Sequence, residues 1–305
     1  MDSAMTADTR VVASSVRRRG RYYHLRRFSF ISLNYLMLTI IGLISSIPLF
    51  WMISTSLKES GKEFRFPPEL IPYPVAWNNY IDVWGDTGIH QFFLNSVFIT
   101  VLATIGTIIT SSMVAFGFAR INFPGRGPLF VLMLSTMMLP GIVTLVPQFV
   151  LFRYMKWIDT PLPLIVPFWF GGGAFFIFLV RQFMLQLPKE LDEAALADGA
   201  SYLRIYWNII LPLTGPALAT VAIFSVQSHW NEFISPLIFL NSETWRTLAL
   251  ALRSFLVDAS DFAAIPPWNQ LMASGVIMLV PILVLFFAAQ RYFIRGIALS
   301  GLTGR

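Results

Sequence analysis

Six long apolar stretches dominate the sequence and restrict the chain to a membrane fold. They cover residues 30–57, 92–118, 129–152, 162–184, 213–239 and 268–290. Each has about 20 or more residues, the length that a helix needs to cross about 30 Å of hydrocarbon. Only 12% of the residues are charged, against about 25% in soluble domains. The sequence therefore predicts an all-α membrane protein with six transmembrane helices.

The distribution of Lys and Arg predicts the sidedness of these helices. Fifteen of the 22 lie in segments that share one side of the membrane with the N-terminus, and seven lie on the other side. Because cytoplasmic segments carry an excess of Lys and Arg, both termini are predicted to be cytoplasmic. The chain then divides into a basic cytoplasmic tail (1–27), a six-helix membrane domain (28–290) and a cytoplasmic C-terminal tail (291–305). The basic tail is either an anchor for anionic lipid headgroups or a topology signal alone.

Residues 187–213, between the fourth and fifth apolar stretches, are the interior segment best suited to water. Acidic residues follow Pro188 and place negative charge in the first turns of a helix, where the helix dipole favours it. Gly199, directly after Asp198, is a helix stop, and Ser201 is suited to cap a second helix. The sequence predicts a helix–turn–helix elbow here.

One narrow apolar face is predicted on the first helix of this elbow. Leu191, Ala194 and Ala195 occur at positions i, i+3 and i+4, so they share one side of the helix. The small alanine side chains allow another surface to approach closely. The simpler alternative is a solvated loop that makes no such contact.

The elbow also carries residues with the spacing of a family signature: Glu193-Ala194-Ala195, Gly199 and Ile209-x-Leu211-Pro212. This pattern resembles the EAA loop of ABC importer permease subunits, and the chain resembles the carbohydrate, maltose-transporter-like type. The resemblance implies the type I ABC importer permease fold, with the elbow as a coupling helix that docks on a cytoplasmic ATPase. The residues that it assigns to this contact are Glu190, Leu191, Glu193, Ala194, Ala195, Asp198 and Gly199.

Weaker resemblances to the same type occur in three other segments: Phe66 through Asn95-Ser96, Trp230-Asn231-Glu232-Phe233, and residues 291–296. Together they imply a permease in the plasma (inner) membrane of a prokaryote that works by alternating access. The implied partners are a second homologous permease subunit, two ATPase subunits that bind ATP and Mg, and an extracytoplasmic solute-binding protein. Membrane lipid is a further partner, and no cofactor is expected on this chain.

Polar and flexible residues within the apolar stretches are the candidates for a solute path. Gln227 and Asn231 share one stripe of the fifth stretch because they are four residues apart. Amides beside aromatic rings suit a sugar, which offers hydroxyl groups and a flat face of C–H groups. A network of hydrogen bonds between helices, without a ligand, explains them equally well. The full candidate set is Asn95, Gln148, Gly172, Gln227, Asn231 and Glu232.

The run Gly171-Gly172-Gly173 interrupts the fourth stretch. Glycine is costly inside a helix, and broken helices at membrane depth are tolerated where they line a cavity or are buried in protein. The run therefore indicates either a solute path with a bend, or a close helix crossing.

Several other functions are excluded or disfavoured by what the sequence lacks. It has no GxxxxGK[ST] motif, so hydrolysis of ATP is not expected on this chain. It has no cysteine, and its three histidines are scattered, so no metal or catalytic site is expected. The net charge of +6 is explained by sidedness rather than by nucleic acid. A permease for glycerol phosphate or a polyamine remains an alternative. An ion-coupled secondary transporter would need more buried acids than Glu232 alone.

Overall fold

The computed structural model describes residues 31–85, 87–257 and 267–301, with side chains described up to residue 289 except at Ser254. Within these ranges the regular elements are all helices. They are α1 (Ile31–Ser56), α2 (Asn78–Gly85), α3 (Ile89–Arg120), α4 (Arg126–Ser135), α5 (Gly141–Tyr154), α6 (Leu162–Ile165), α7 (Ala174–Gln186), α8 (Glu190–Ala197), α9 (Tyr202–Ile205), α10 (Leu211–Leu213), α11 (Gly215–Trp230), α12 (Ile234–Phe239), α13 (Leu248–Val257) and α14 (Trp268–Gly301). The predicted tail 1–27 lies outside the described residues.

Four helical stretches are long and apolar enough to cross a membrane: Ile31–Ser56, Ile89–Arg120, Leu162–Gln186 and Trp268–Ala289. Two further stretches meet the same requirement only as bent pairs. Arg126–Met138 and Gly141–Tyr154 meet at 98°, and Tyr202–Leu213 and Gly215–Trp230 meet at 76°. Counting each bent pair as one broken span gives six, as the sequence predicts, and the all-α class is confirmed.

The third and fifth spans are interrupted, whereas hydropathy alone predicts continuous stretches. Pro140 has an extended backbone (φ −59°, ψ 131°) and ends a short 3₁₀ turn before α5 begins. The fifth span ends at Trp230, and α12 starts separately at Ile234. Proline lacks the N–H that would continue a helix, which explains the first break.

Helix α3 is the centre of the described structure. It has 32 residues without a proline, and it packs along α7 and α11. Its small polar side chains are buried at these contacts, including Thr104, Thr107, Ser111 and Ser112. The Ser225 hydroxyl of α11, for example, lies 3.3 Å from the Thr104 hydroxyl. Small residues let helices approach closely in a membrane. One end of α3 supports the elbow, and the other end supports the loops.

The outer surface of the described chain is strongly apolar. The membrane-spanning window of α1 has none of its residues buried, and α4 likewise buries none. On the α4–α5 pair, Met138 and Val146 are 83% and 71% exposed. Such surfaces are stable only against lipid or another membrane subunit.

Candidate functional site

The first helix of the elbow, α8, ends in a motif built around Gly199. Gly199 adopts φ +80°, a left-handed conformation that glycine enters without steric cost. Its N–H donates to the Leu196 carbonyl (3.0 Å), and the N–H of Ala200 donates to the Ala195 carbonyl (2.9 Å). These two bonds are those of a Schellman cap. The predicted helix stop at Gly199 is thus confirmed.

The second helix of the elbow starts at the predicted cap. The Ser201 hydroxyl accepts a hydrogen bond from the backbone N–H of Arg204 at 3.4 Å. The chain then passes through α9 and a π-helical turn, Tyr206–Ile210, before α10. The elbow is therefore a pair of short helices with a defined turn.

The apolar face predicted on α8 is divided between two sides of the helix, so this expectation is corrected. Ala195 is 9% exposed and packs in the core formed by α3, α7 and the second half of the elbow. Leu191 and Ala194 are exposed. Adjacent helical positions differ by about 100°, so a helix lying flat on the protein buries only part of such a stripe. Ala195 therefore belongs to the support of α8.

The exposed face of α8 combines acidic and small residues. Its members recur at i, i+3, i+4 and i+7, which places them on one side of the helix. They are Glu190, Glu193, Ala194 and Ala197, with Leu191 at the edge. Asp198 and Gly199 are also exposed at the end of the helix. All of the predicted coupling residues except Ala195 are thus available to a partner.

An ion pair attaches the buried side of α8 to the end of α3. Arg120 Nη1 lies 3.0 Å from Asp192 Oδ2, and these side chains are 3% and 14% exposed. Arg120 Nη2 also donates to the Leu187 carbonyl at 3.0 Å. Burial raises the pKa of the Asp192 carboxyl, Arg120 opposes this, and Glu193 adds to it. The sequence does not reveal this pair, because 72 positions separate its members.

A second polar contact joins α3 to the far half of the elbow. The hydroxyls of Ser112 and Tyr206 lie 2.8 Å apart, and both residues are buried. The ring of Tyr206 packs on Phe116, with 5.3 Å between ring centroids. The elbow is therefore held to α3 by bonds on both of its halves.

A cavity of about 730 Å³ lies beside the first half of α3, between α5, α6, α11 and α12. Ligand pockets in proteins have volumes of roughly 300–1,000 Å³. Five aromatic side chains contribute to its wall: Phe152, Trp157, Phe168, Phe170 and Phe239. The polar side chains on its wall are Gln148, Ser228, His229, Glu232, Ser235 and Thr247. None of the described lining residues is Lys or Arg.

Two polar atoms of the cavity wall lack a hydrogen-bond partner within the described chain. They are Nε2 of His229 and Oγ1 of Thr247, and both atoms are buried. The His229 ring meets Phe168 edge to face, with centroids 4.2 Å apart. A buried polar group without a partner costs about 1–3 kcal/mol. Glu232 Oε1 already accepts the N–H of Ser235 at 2.9 Å.

The structure brings two of the six predicted path residues, Gln148 and Glu232, to this cavity. Asn95 is buried elsewhere and donates to the carbonyls of Thr244 and Arg246 at 2.9 and 3.1 Å. Gln227 and Asn231 are exposed outside the cavity wall. The Asn231 amide donates to the backbone carbonyl of Gln227 at 2.9 Å.

Gly172 lies in a break between helical segments that approaches α3 closely, and it is not among the residues that line the cavity. It has φ +59°, and a Cβ at this position would lie 2.7 Å from Thr110 Oγ1 and 2.8 Å from the backbone nitrogen of Ser111. The backbone of the 171–173 turn therefore lies directly against α3. Any larger residue would force the two segments apart.

One pattern in the sequence bears on which side of α11 faces the cavity. The polar run 227–232 offers two stripes four residues apart: Gln227 with Asn231, and Ser228 with Glu232. The cavity lies against the second stripe, with His229 beside it. Periodicity alone does not decide between the stripes, because the choice depends on which side of α11 faces α6.

These features define a class: a multi-span membrane protein with an exposed acidic elbow and a partly open cavity of ligand size. The family described as the binding-protein-dependent transport system inner membrane component matches residues 107–299, and the chain belongs to this family. It is thus a permease subunit of an ABC importer, located in the inner membrane. The predicted family and location are confirmed. Among the described residues, no group of three or more His, Cys, Asp or Glu could hold a metal ion.

Several named proteins are similar to this chain over most of its length. The chain is 35% identical over 259 residues to the probable ABC transporter permease protein YurM of Bacillus subtilis, covering 84% of this chain and 83% of YurM. It is 34% identical over 267 residues to the arabinooligosaccharides transport system permease protein AraQ of Halalkalibacterium halodurans, covering 87% and 93%. It is 31% identical over 269 residues to the sn-glycerol-3-phosphate transport system permease protein UgpE of Yersinia pestis, covering 86% and 94%.

Two solved structures share the fold. A chain of a bacterial ABC transporter involved in the import of the acidic polysaccharide alginate matches with TM-score 0.76 and 24% identity, covering 87% of this chain and 96% of its own. A chain of the alginate ABC transporter in complex with alginate pentasaccharide-bound periplasmic protein matches with TM-score 0.63 and 13% identity, covering 85% and 92%. The ABC importer permease fold is therefore confirmed.

Proposed function

We propose that this permease carries an uncharged sugar or oligosaccharide, received from an extracytoplasmic solute-binding protein. The observation that supports this most directly is the cavity beside α3. Its aromatic walls offer flat faces to the C–H groups of a sugar, and the polar side chains on its wall offer bonding partners for the hydroxyls. The relatives that transport arabino-oligosaccharides support the same class of solute.

A phosphorylated solute fits the cavity less well. Phosphate recognition usually employs Arg or Lys, and none of the described lining residues is cationic. A polyamine would need several acidic groups, whereas Glu232 is the one acid on the described wall and already bonds Ser235. These observations favour a sugar over the glycerol phosphate that one relative transports.

The exposed face of α8 is the proposed contact with the ATPase subunits, which supply ATP hydrolysis and hold ATP and Mg. Its acidic and small residues suit a groove that is lined by basic and apolar side chains. With both termini in the cytoplasm, the elbow is also cytoplasmic, as this contact requires. Binding of ATP would then move the elbow and open the cavity alternately to the two sides of the membrane.

The apolar outer surface supports a second permease subunit. Nothing in the described chain covers the spanning window of α1 or the exposed residues of α4. A second, homologous permease would bury part of this surface and lipid the rest.

Uptake by the full complex in proteoliposomes tests the class of solute. Complexes with MgATP inside the vesicles and the binding protein outside would be supplied with a radiolabelled arabino-oligosaccharide or with radiolabelled sn-glycerol 3-phosphate. We expect ATP-dependent uptake of the oligosaccharide and none of the phosphate. The Glu193→Ala variant should lose this uptake because its elbow contact is weakened. Uptake of glycerol 3-phosphate alone would overturn the proposed sugar.

A further inference from the structure

The elbow is attached to α3 at two separate points. Arg120 bonds Asp192 on α8 at 3.0 Å, and Ser112 bonds Tyr206 on the second half of the elbow at 2.8 Å. Arg120 and Ser112 are eight residues apart, which is about 12 Å along the helix axis. Added to the apolar packing of the elbow, two separated polar contacts restrict its rotation more than one would.

The Arg120–Asp192 pair lies where three elements meet. Arg120 ends α3, Asp192 is on α8, and the Leu187 carbonyl that Arg120 also bonds directly follows α7. Both side chains are shielded from water. Removal of one partner of a buried pair leaves an uncompensated charge, whereas an apolar pair often fills such a site with equal or greater stability. An ion pair at this point is therefore better explained by the orientation it fixes than by its stability.

The pair is a single contact that is shielded from partners. One Nη of Arg120 meets one oxygen of Asp192, and the remaining Nε and Oδ1 atoms are buried without partners in the described chain. Asp192 lies on the side of α8 that it shares with Ala195, away from the exposed Glu193 and Ala194. It is thus placed to act within the chain and not on a partner.

The opposite end of α3 is bonded to the loop beside the cavity. Asn95 donates to the carbonyls of Thr244 and Arg246, and the Ser96 hydroxyl accepts the N–H of Leu248 at 2.7 Å. Thr247, between these contacts, lines the cavity. A helix of 32 residues spans about 48 Å, so α3 connects the elbow with the cavity wall without a break.

We propose that Arg120 and Asp192 are positioning residues that fix the elbow to α3, so that both move as one body when the ATPase subunits act on the exposed face of α8. This inference rests on the proposed coupling function of the elbow. It assigns to Asp192 a role inside the permease, distinct from the docking role proposed for its neighbour Glu193.

Distance measurements between spin labels test this inference without knowledge of the solute. The chain has no native cysteine, so Leu94→Cys near the start of α3 and Leu196→Cys on α8, both exposed and the second outside the proposed docking face, can be labelled selectively in a complex with cysteine-free partners. Electron–electron double resonance would compare the nucleotide-free complex with the complex trapped by MgATP and vanadate. Co-purification of the ATPase subunits and their ATP turnover would be measured in parallel.

With Arg120 and Asp192 intact, the distance should change on trapping by less than about 2 Å, the scale of helix shifts in such transitions. In Asp192→Asn it should shift or broaden beyond that, while the ATPase subunits still co-purify at the native ratio. Combining Asp192→Asn with Arg120→Gln should add no further change, because both substitutions break the same contact. Lys189→Gln, which changes an exposed charge three residues before Asp192, should behave like the unsubstituted chain.

An unchanged distance in Asp192→Asn would overturn the inference, and so would loss of the ATPase subunits from that variant, which would make Asp192 a docking residue. Failure of the proposed function has a different signature. In that case the ATPase subunits would fail to co-purify even with the permease in which Arg120 and Asp192 are intact.

Discussion

The two ends of α3 use polar side chains in opposite ways. At the elbow end, Arg120 and Ser112 bond residues of the elbow directly, and apolar contacts fill the space between these bonds. At the cavity end, the wall residues His229 and Thr247 each carry a buried polar atom for which the described chain offers no partner. A region that transmits motion needs its bonds made within the protein. A region that binds a solute needs bonding capacity left open.

The same contrast appears in the helices around these two regions. The elbow end is supported by α3 and α7, which are continuous through the core, whereas the cavity lies between the broken elements α5, α6 and α12. Short helices with interruptions at Pro140 and at residues 231–233 surround this partly open space. We expect substitutions at the two ends to have different consequences.

The largest effect is expected where the two regions meet, at Gly172. Gly172→Ala should lower the free energy of unfolding by about 3 kcal/mol, because the added Cβ strains a left-handed residue and overlaps the backbone of α3. The thermal unfolding midpoint in detergent measures this. Gly171→Ala is the matched control, since a Cβ there meets no atom within 4 Å. Equal unfolding midpoints for the two variants would contradict the close approach of Gly172 to α3.

The cavity end is tested by His229→Leu. Loss of the unpaired ring nitrogen should weaken the apparent affinity for a transported sugar about 10- to 100-fold, equivalent to roughly 1–3 kcal/mol. Half-saturation of arabino-oligosaccharide uptake measures this. Asn231→Leu should have little effect because Asn231 lies outside the cavity. The opposite ranking would return the solute path to the stripe of Gln227 and Asn231.

The elbow end is tested by Gly199→Ala. This change should destabilise the cap of α8 by about 1–2 kcal/mol, since alanine is strained at φ +80° although its Cβ has free space. Hydrogen exchange of the amides 198–200 should become faster. Gly199→Asn should be milder, because asparagine enters the left-handed region more readily. Identical exchange in the alanine variant and the native chain would contradict the described cap.

The smallest effect is expected at Asp159, which lies in the loop between α5 and α6. Its Oδ1 accepts from the N–H groups of Asn241 and Ser242 and from the Ser242 hydroxyl. The Ser242 N–H lowers the pKa of Asp159 most, aided by the other two bonds and opposed by burial. The lowered pKa in the folded protein means that the carboxylate stabilises this loop above about pH 4 and loses that contribution as the pH falls further.

Asp159→Asn should therefore cost about 0.5–1 kcal/mol of local stability at neutral pH and remove the acid dependence. Protection of the Asn241 and Ser242 amides, corrected for intrinsic exchange and followed from pH 7 to pH 3, measures both effects. The same acid dependence in the variant would mean that another group holds the loop.

Local features of both regions could be predicted from the sequence. The apolar stretches follow from composition, and the ends of α8 and α9 follow from Gly199 and Ser201, whose chemistry acts within a few residues. Contacts between distant segments could not be predicted. The Arg120–Asp192 pair, the burial of Ala195, the 98° bend after Met138 and the side of α11 that faces the cavity all depend on how helices pack. The sidedness of the membrane remains a prediction from the charges.

The central claim, that the exposed face of α8 docks on the ATPase subunits, is tested most directly by disulfide or short-spacer crosslinking from single cysteines. Ala194→Cys and Ala195→Cys are adjacent residues of the same type in a chain without native cysteine, and the first is exposed while the second is buried. We predict that Ala194→Cys crosslinks to the ATPase subunits in the assembled complex and that Ala195→Cys does not. Crosslinking from Ala195→Cys alone, or from neither position, would contradict it.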